Sequence, residues 1–163
     1  MKGWIFNASP LILLGKIQRL HLVEILSPAF RIPKEVVLEI GASPSNDPTI
    51  KWLTSVEIAI HTVDTPPPPP FLTLWDLGAG ETAVLSLALA DHGSAVVLDD
   101  LAARNFAMTF DIPLLGTLGL LLRAKNLGLI GQLAPHIRQL ESVGANLSQS
   151  VIQRALYLAG EGL

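Results

Sequence analysis

The chain has 163 residues, half of them hydrophobic and 15% charged, which is enough apolar material for the core of a single domain spanning residues 1–163. No stretch reaches the roughly 18 consecutive apolar residues of a membrane span, and the absence of cysteine excludes disulfides and thiolate chemistry. The formal net charge of −3 argues against a strongly basic nucleic-acid-binding domain, so contact with nucleic acid would need a local basic patch or metal ions held by acidic side chains.

The first 70 residues predict short strands separated by helices. An apolar run at 3–6 predicts a first strand that ends at Asn7, and the alternating residues 56–61 predict a strand with one solvent-facing side. The five consecutive prolines 66–70 predict an extended connector without backbone donors. Between these segments, helices are predicted at 10–17, 20–26, 33–41 and 49–53.

The most apolar part of the chain follows the prolines. A helix predicted at 81–90 carries no charge after its first residue, so it should be buried on nearly all sides. The short apolar strand at 95–98 is typical of the centre of a parallel sheet. Later elements are predicted as a strand at 112–115 and helices at 101–110, 118–126, 130–142 and 147–159. Because strands alternate with helices, the sequence predicts an α/β fold with three layers, α/β/α, around a central parallel sheet.

A set of polar side chains occurs where these apolar elements begin or end. In open α/β sheets the carboxyl edge binds ligands, and each of these side chains can reach it. Crowded carboxylates raise one another's pKa, and a hard divalent cation such as Mg²⁺ or Mn²⁺ relieves the repulsion. Such a cation can also activate water for attack on a phosphate. The side chains are Asn7, Glu39, Glu81, Asp99 and Asp100.

Each acid also has an ordinary structural explanation. Glu39 could be a solvated helix residue, Glu81 could serve the helix dipole, and Asp99 or Asp100 could cap the next helix. In addition, residues 78–83 match G-x-G-x-x-A, which would indicate a dinucleotide-binding turn. Against that interpretation, Glu81 would compete with a pyrophosphate for the N–H groups of the helix N-terminus.

Several segments together carry a resemblance to a known family. They are residues 6–12 (FNASPLI), 32–40 (IPKEVVLEI), 77–81 (LGAGE), 97–104 (VLDDLAAR), 116–125 (GTLGLLLRAK) and 159–161 (AGE). Their order resembles the PIN-domain family, most closely the VapC-like branch described as predicted nucleic-acid-binding proteins. The resemblance spans nearly the whole chain. It implies a parallel sheet flanked by helices, with an acidic pocket that binds Mg²⁺ or Mn²⁺ and cleaves RNA by metal-activated water.

Carried over by position, the resemblance assigns roles to individual residues. The catalytic residues would be Glu39, Glu81, Asp99 and Asp100. The metal would be bound by Asn7, Glu39, Glu81, Asp99 and Asp100. Contacts with nucleic acid are expected from Ser9, Arg104 and Thr117. Asn7 stands where most of the family has Asp, and an amide brings no charge, so metal affinity and water activation should drop.

The resemblance also implies partners. Many members of the family are toxins held by a small antitoxin protein, and dimers are common, so we expect an RNA substrate, an antitoxin and a homodimer. The two C-terminal helices are candidates for the dimer face because of their apolar content. The N-terminus does not resemble a signal peptide, and a cytoplasmic location is expected. The alternative is a catalytically weakened or inactive PIN-fold protein that binds RNA or a protein partner.

Overall fold

The computed structural model describes residues 2–162, in which the strands are short and run parallel. They are β1 (Ile5–Phe6), β2 (Ile32–Pro33), β3 (Thr62–Val63), β4 (Val96–Val97) and β5 (Leu114–Leu115). One set has the order β1-β4-β5, and β2 pairs with β3. Because Arg31, just before β2, exchanges backbone hydrogen bonds with Trp4 and Phe6, the two sets join in the order β3-β2-β1-β4-β5.

Helices connect these strands. They are α1 (Ala8–Lys16), α2 (His21–Leu26), α3 (Lys34–Gly41), α4 (Pro48–Thr54), α5 (Val56–Ala59), α6 (Pro70–Thr73), α7 (Ala79–Ala90), α8 (Leu101–Thr109), α9 (Thr117–Asn126), α10 (Leu133–Ser142) and α11 (Gln149–Leu158). The alternation confirms the predicted α/β class with a central parallel sheet. Within residues 2–162, no helix combines the length and the apolar character required to cross a membrane.

The core forms around α7 and the strands on which it packs. Helix α7 contacts β1, β2 and β4, and its middle residues are buried, as its uncharged sequence predicts. Ile5, Phe6, Val96 and Val97 have no exposed surface. Burial of such a side chain contributes about 1.5–3 kcal/mol, so packing fixes the ends of these strands firmly.

The structure corrects the strand predicted at residues 56–61. This segment contains the one-turn helix α5, and β3 begins only after it. Val56 and Ile60 are 78% and 76% exposed, whereas Ile58 is 3% exposed. The alternating pattern therefore marks one buried residue on a helical turn and not two faces of a strand. The proline connector also ends earlier than predicted, because Pro70 opens α6, where its fixed φ suits a first helical turn.

The parallel register brings the carboxyl ends of three strands to one edge of the sheet. Phe6, Val97 and Leu115 lie side by side. Asn7 follows Phe6 directly, and Asp99 follows Val97 by two residues. This edge is the usual ligand-binding edge of an open α/β sheet.

The opposite, amino edge is held together by Asp91. Its carboxylate pairs with Lys2 and with Arg31, the latter at 2.5 Å, and accepts a hydrogen bond of 3.1 Å from the Ser94 hydroxyl. These three partners precede β1, β2 and β4 in the chain. Hydrogen bonds from Lys2, Arg31 and Ser94 lower the pKa of Asp91 from 3.8 to about 2.

A second fully paired carboxylate attaches the C-terminal segment to the domain. Glu161 accepts hydrogen bonds from the backbone N–H groups of Leu133 and Ala134, at 2.6 and 2.9 Å, and from Lys125 at 2.9 Å. Burial alone would raise the pKa of Glu161, but these donors lower it to about 2. The acid therefore caps the N-terminus of α10.

Candidate active site

Asn7 lies at the centre of the carboxyl edge. Its backbone N–H donates to the Val97 carbonyl at 3.1 Å, and the residue is only 1% exposed. The side-chain Nδ2 donates to Glu81 Oε1 at 3.0 Å. Among the described residues, the buried Oδ1 has no hydrogen-bond partner. Since an unpaired buried oxygen is costly, this atom is well suited to accept a ligand.

Glu39 and Glu81 reach the same place from two packed helices. Glu39 lies near the end of α3, Glu81 lies in the first turn of α7, and the two helices contact each other. A Cβ placed on Gly80 would overlap Glu39 Oε2 and would lie 3.0 Å from Asn7 Oδ1. Glu39 Oε2 and Asn7 Oδ1 therefore lie close to the same point beside the α7 backbone. Glu81 lies next to them because it accepts a hydrogen bond from Asn7.

The electrostatic environment of Glu39 is unfavourable to its charge. Desolvation of the carboxyl is the larger cause and raises its pKa above the ordinary 4.5, and the negative charge of Glu81 raises it further. No ion pair within residues 2–162 includes Glu39 or Glu81. The arrangement therefore favours a bound cation or proton.

Asp99 has a different set of partners, on the adjacent strand. Its Oδ1 accepts from the Thr117 backbone N–H at 2.8 Å, and its Oδ2 accepts from the Thr117 hydroxyl at 2.6 Å. Arg104 Nη1 donates to the Leu98 carbonyl at 2.9 Å. A Cβ on Gly116 would lie 2.9 Å from Asp99 Oδ1 and 3.0 Å from Arg104 Nη1. Asp99, Arg104 and Thr117 therefore lie close together at the N-terminus of α9.

The remaining candidates lie in more ordinary surroundings. Asp100 is the N-cap of α8, where its Oδ2 accepts from the Ala103 backbone N–H at 2.9 Å, which is the structural role that Asp often fills. Ser9 is exposed in the first turn of α1. The hydrogen bond of Asp100 therefore joins it to α8 and not to Asn7.

The donor set near Asn7 fits a hard divalent cation. Two carboxylates and one amide oxygen are the ligand types that Mg²⁺ and Mn²⁺ prefer, with water in the other positions. In the part of the chain that the structure describes, no group of three or more His, Asp or Glu side chains is arranged to hold a metal ion. Asp99 therefore does not join Glu39 and Glu81 in such a group, and its hydrogen bonds go to Thr117.

The sequence alone does not indicate that the glycines around the site position its side chains. In the sequence, Gly78 and Gly80 belong both to the segment 77–81 of the PIN-domain resemblance and to a dinucleotide motif, and the dinucleotide motif requires a preceding strand. The segment before Gly78 instead contains α6 and a turn. A Cβ on Gly78 would lie 2.5 Å from Glu81 Oε2, so the Glu81 carboxylate lies directly beside this turn. In the sequence, the pattern Gly-x-Gly-Glu at residues 78–81 is the feature that indicates this part of the site.

The fold and this edge define a parallel α/β domain with acidic side chains gathered where strands end. A family model described as a PIN domain (DUF3368) matches residues 3–161. The chain therefore belongs to the PIN-domain family, a family of nuclease type, as the sequence resemblance predicts. Comparisons with curated proteins and with solved structures found no match.

Proposed function

We propose that this PIN-domain protein is a metal-dependent ribonuclease of the VapC-like branch and the toxin component of a toxin–antitoxin pair. The observation that carries the proposal is the buried, unpartnered Asn7 Oδ1 beside two acids that have no cationic partner among the described residues. A structural acid of this chain, such as Asp91, is surrounded by cations instead.

The proposed ligands are Glu39, Glu81 and the Asn7 amide oxygen, with Mg²⁺ or Mn²⁺ as the ion. When bound, such an ion supplies an activated water and neutralises charge on the phosphate. The Asn7 amide nitrogen holds the Glu81 carboxylate in position through its 3.0 Å hydrogen bond. Glu39, whose pKa is raised by desolvation and by Glu81, would receive a proton readily if the ion left.

Asp99, at the end of the adjacent strand, is proposed as a further catalytic acid outside the three metal ligands. Its two hydrogen bonds to Thr117 fix the first turn of α9 and orient the carboxylate. Arg104, fixed on the Leu98 carbonyl, is proposed to contact the RNA phosphates, and Ser9 and Thr117 are proposed as further hydroxyl contacts. Asp100 is assigned to capping α8.

Asn7 also favours a second candidate function. Because Asn7 supplies a neutral ligand, the pocket has one negative charge fewer than an aspartate would give, and metal affinity falls accordingly. The alternative is thus a PIN-fold protein that binds RNA, or a protein partner, without cleaving it.

Cleavage of a mixed RNA by the purified protein with Mn²⁺ separates the two functions. Wild type is expected to cut, and Glu81→Gln is expected to lose the activity because the carboxylate is replaced by a neutral group of the same shape. Glu57→Gln, the same change at an exposed position in the first turn of α5, is the matched control and should cut like wild type. Equal RNA binding by wild type and Glu81→Gln, with no cleavage by either, would support the second function.

The proposed homodimer has a candidate surface that includes the last helix, α11. An open groove of about 410 Å³ between α9 and α11 is lined mostly by apolar side chains, among them Leu118, Leu122, Val151 and Leu158. Light scattering of the purified chain tests the homodimer: twice the monomer mass is expected, and a monomer at high concentration would contradict it.

A further inference from the structure

Gly80 occupies the point at which α7 comes closest to the other side of the pocket. It is buried in the first turn of the helix, one residue before Glu81. A side chain there would enter the space between α7 and the ends of Glu39 and Asn7. That space is where the proposed cation would have to meet its ligands.

The backbone of Gly80 gives no reason for glycine. The glycines with positive φ in the described chain are Gly93, Gly128, Gly144 and Gly160, so Gly80 has a conformation that alanine adopts. Inside a helix, alanine is favoured over glycine. The reason for glycine at this position is therefore the space beside it and not its conformational freedom.

The two neighbours of that space differ in how far they can move. Asn7 is 1% exposed and tied to Glu81, so its oxygen is fixed. Glu39 is exposed, and the atom nearest to the Gly80 position is the end of its flexible side chain. A methyl group at position 80 would consequently displace the Glu39 carboxylate while leaving the backbone in place.

We propose that Gly80 is a positioning residue that keeps the Glu39 carboxylate beside Asn7, and that any side chain at position 80 moves this acid out of the cation site. The proposal rests on the function proposed above. It assigns to the glycine a role in ligand geometry that is separable from folding.

Mn²⁺ binding to the purified full chain, followed by electron paramagnetic resonance and by isothermal titration, tests it without reference to activity. Gly80→Ala should bind Mn²⁺ about 10- to 100-fold more weakly, the range typical of changes that misorient a metal ligand. Its Tm without metal should stay close to that of wild type, because the preference of the helix for alanine offsets the close contact with Asn7 Oδ1. Gly41→Ala, a helical glycine with open space around it, should leave the affinity unchanged.

A second variant tests whether the effect passes through Glu39. Glu39→Asp shortens the acid by one methylene and leaves room for a methyl group at position 80. Adding Gly80→Ala to Glu39→Asp should therefore weaken Mn²⁺ binding much less than it does in wild type. An equal loss in both backgrounds would overturn the positioning role.

The remaining outcomes distinguish the two proposals. If wild type binds Mn²⁺ and Gly80→Ala binds it equally well, the role of Gly80 is overturned and the metal site stands. If Gly80→Ala loses both binding and thermal stability, its role is structural and the inference is overturned. If wild type itself does not bind Mn²⁺, the proposed function is overturned and the inference with it.

Discussion

The carboxylates at the two edges of the sheet have opposite electrostatic environments. At the amino edge, Asp91 is surrounded by Lys2, Arg31 and Ser94, and its pKa is lowered to about 2. At the carboxyl edge, desolvation and the charge of Glu81 raise the pKa of Glu39. The comparison separates acids whose ionised form is stabilised by the fold from acids whose ionised form is disfavoured. Groups with such perturbed pKa values concentrate at functional sites.

The largest expected effect comes from removing a charge at the carboxyl edge. Glu81→Gln should weaken Mn²⁺ binding by more than about 100-fold, since loss of a ligand exceeds the 10- to 100-fold cost of disturbing an outer-shell group. Isothermal titration measures the change. Asp91→Asn, the matched change at the amino edge, should keep the wild-type affinity, and an equal loss in both variants would erase the distinction between the edges.

A second change should increase the negative charge of the pocket. Asn7→Asp places a third carboxylate beside Glu39 and Glu81 and removes the amide N–H that Glu81 accepts. We expect Mn²⁺ affinity to rise about tenfold by added Coulomb attraction, while the Tm of the metal-free protein falls. Saturating Mn²⁺ should recover the lost Tm. Thermal denaturation with and without Mn²⁺ measures both effects, and a metal-free Tm at or above that of wild type would contradict the assigned role of the amide.

Protonation of Asp91 at the amino edge should contribute to acid unfolding. Since the pKa of Asp91 is lower in the fold than its ordinary 3.8, its contribution to stability is complete above that pH and is lost as the pH falls toward about 2. Glu161 behaves likewise from 4.5 toward about 2. Asp91→Asn should lower the Tm by several degrees at pH 7 and by little at pH 2. A Tm difference that does not shrink with acid would show that ionisation of Asp91 is not its cause.

The smallest expected effect has the opposite sign. The raised pKa of Glu39 means that its ionised form is disfavoured in the fold, so its contribution to stability falls as the pH rises above about 4.5. In metal-free protein at pH 7, Glu39→Gln should raise the Tm by about a degree or two. The comparison is made with Glu57→Gln, for which no change is expected. A clear decrease in the Tm of Glu39→Gln would place Glu39 among the stabilising acids.

The sequence predicts the elements whose signals are strong and local. Helix α7, which carries no charge after Glu81, and the strand before Asp99 follow from their composition alone. The segment around Ile58 does not, because exposed apolar residues on either side of one buried residue imitate the alternation of a strand. The spacing of the sequence does not distinguish the roles of Asp99 and Asp100. Their roles depend on the backbone N–H from which each carboxylate accepts a hydrogen bond, and the donor to Asp99, Thr117, lies 18 residues away.

The sequence predicts the candidate site as a list of residues and not as an arrangement. The resemblance to a PIN domain proposes Asn7, Glu39, Glu81, Asp99 and Asp100 as one site. In the structure, contacts between residues up to 74 positions apart bring Asn7, Glu39 and Glu81 together, whereas Asp99 and Asp100 have other partners. The role of Gly80 depends on the approach of another helix. No pattern within the local sequence encodes that approach.

The most direct measurement of the central claim is a crystal structure of the full chain grown or soaked with Mn²⁺, with anomalous scattering to identify the ion. The account predicts one Mn²⁺ coordinated by the Asn7 amide oxygen and by the carboxylates of Glu39 and Glu81. A crystal at saturating Mn²⁺ in which these three side chains hold no ion would contradict it.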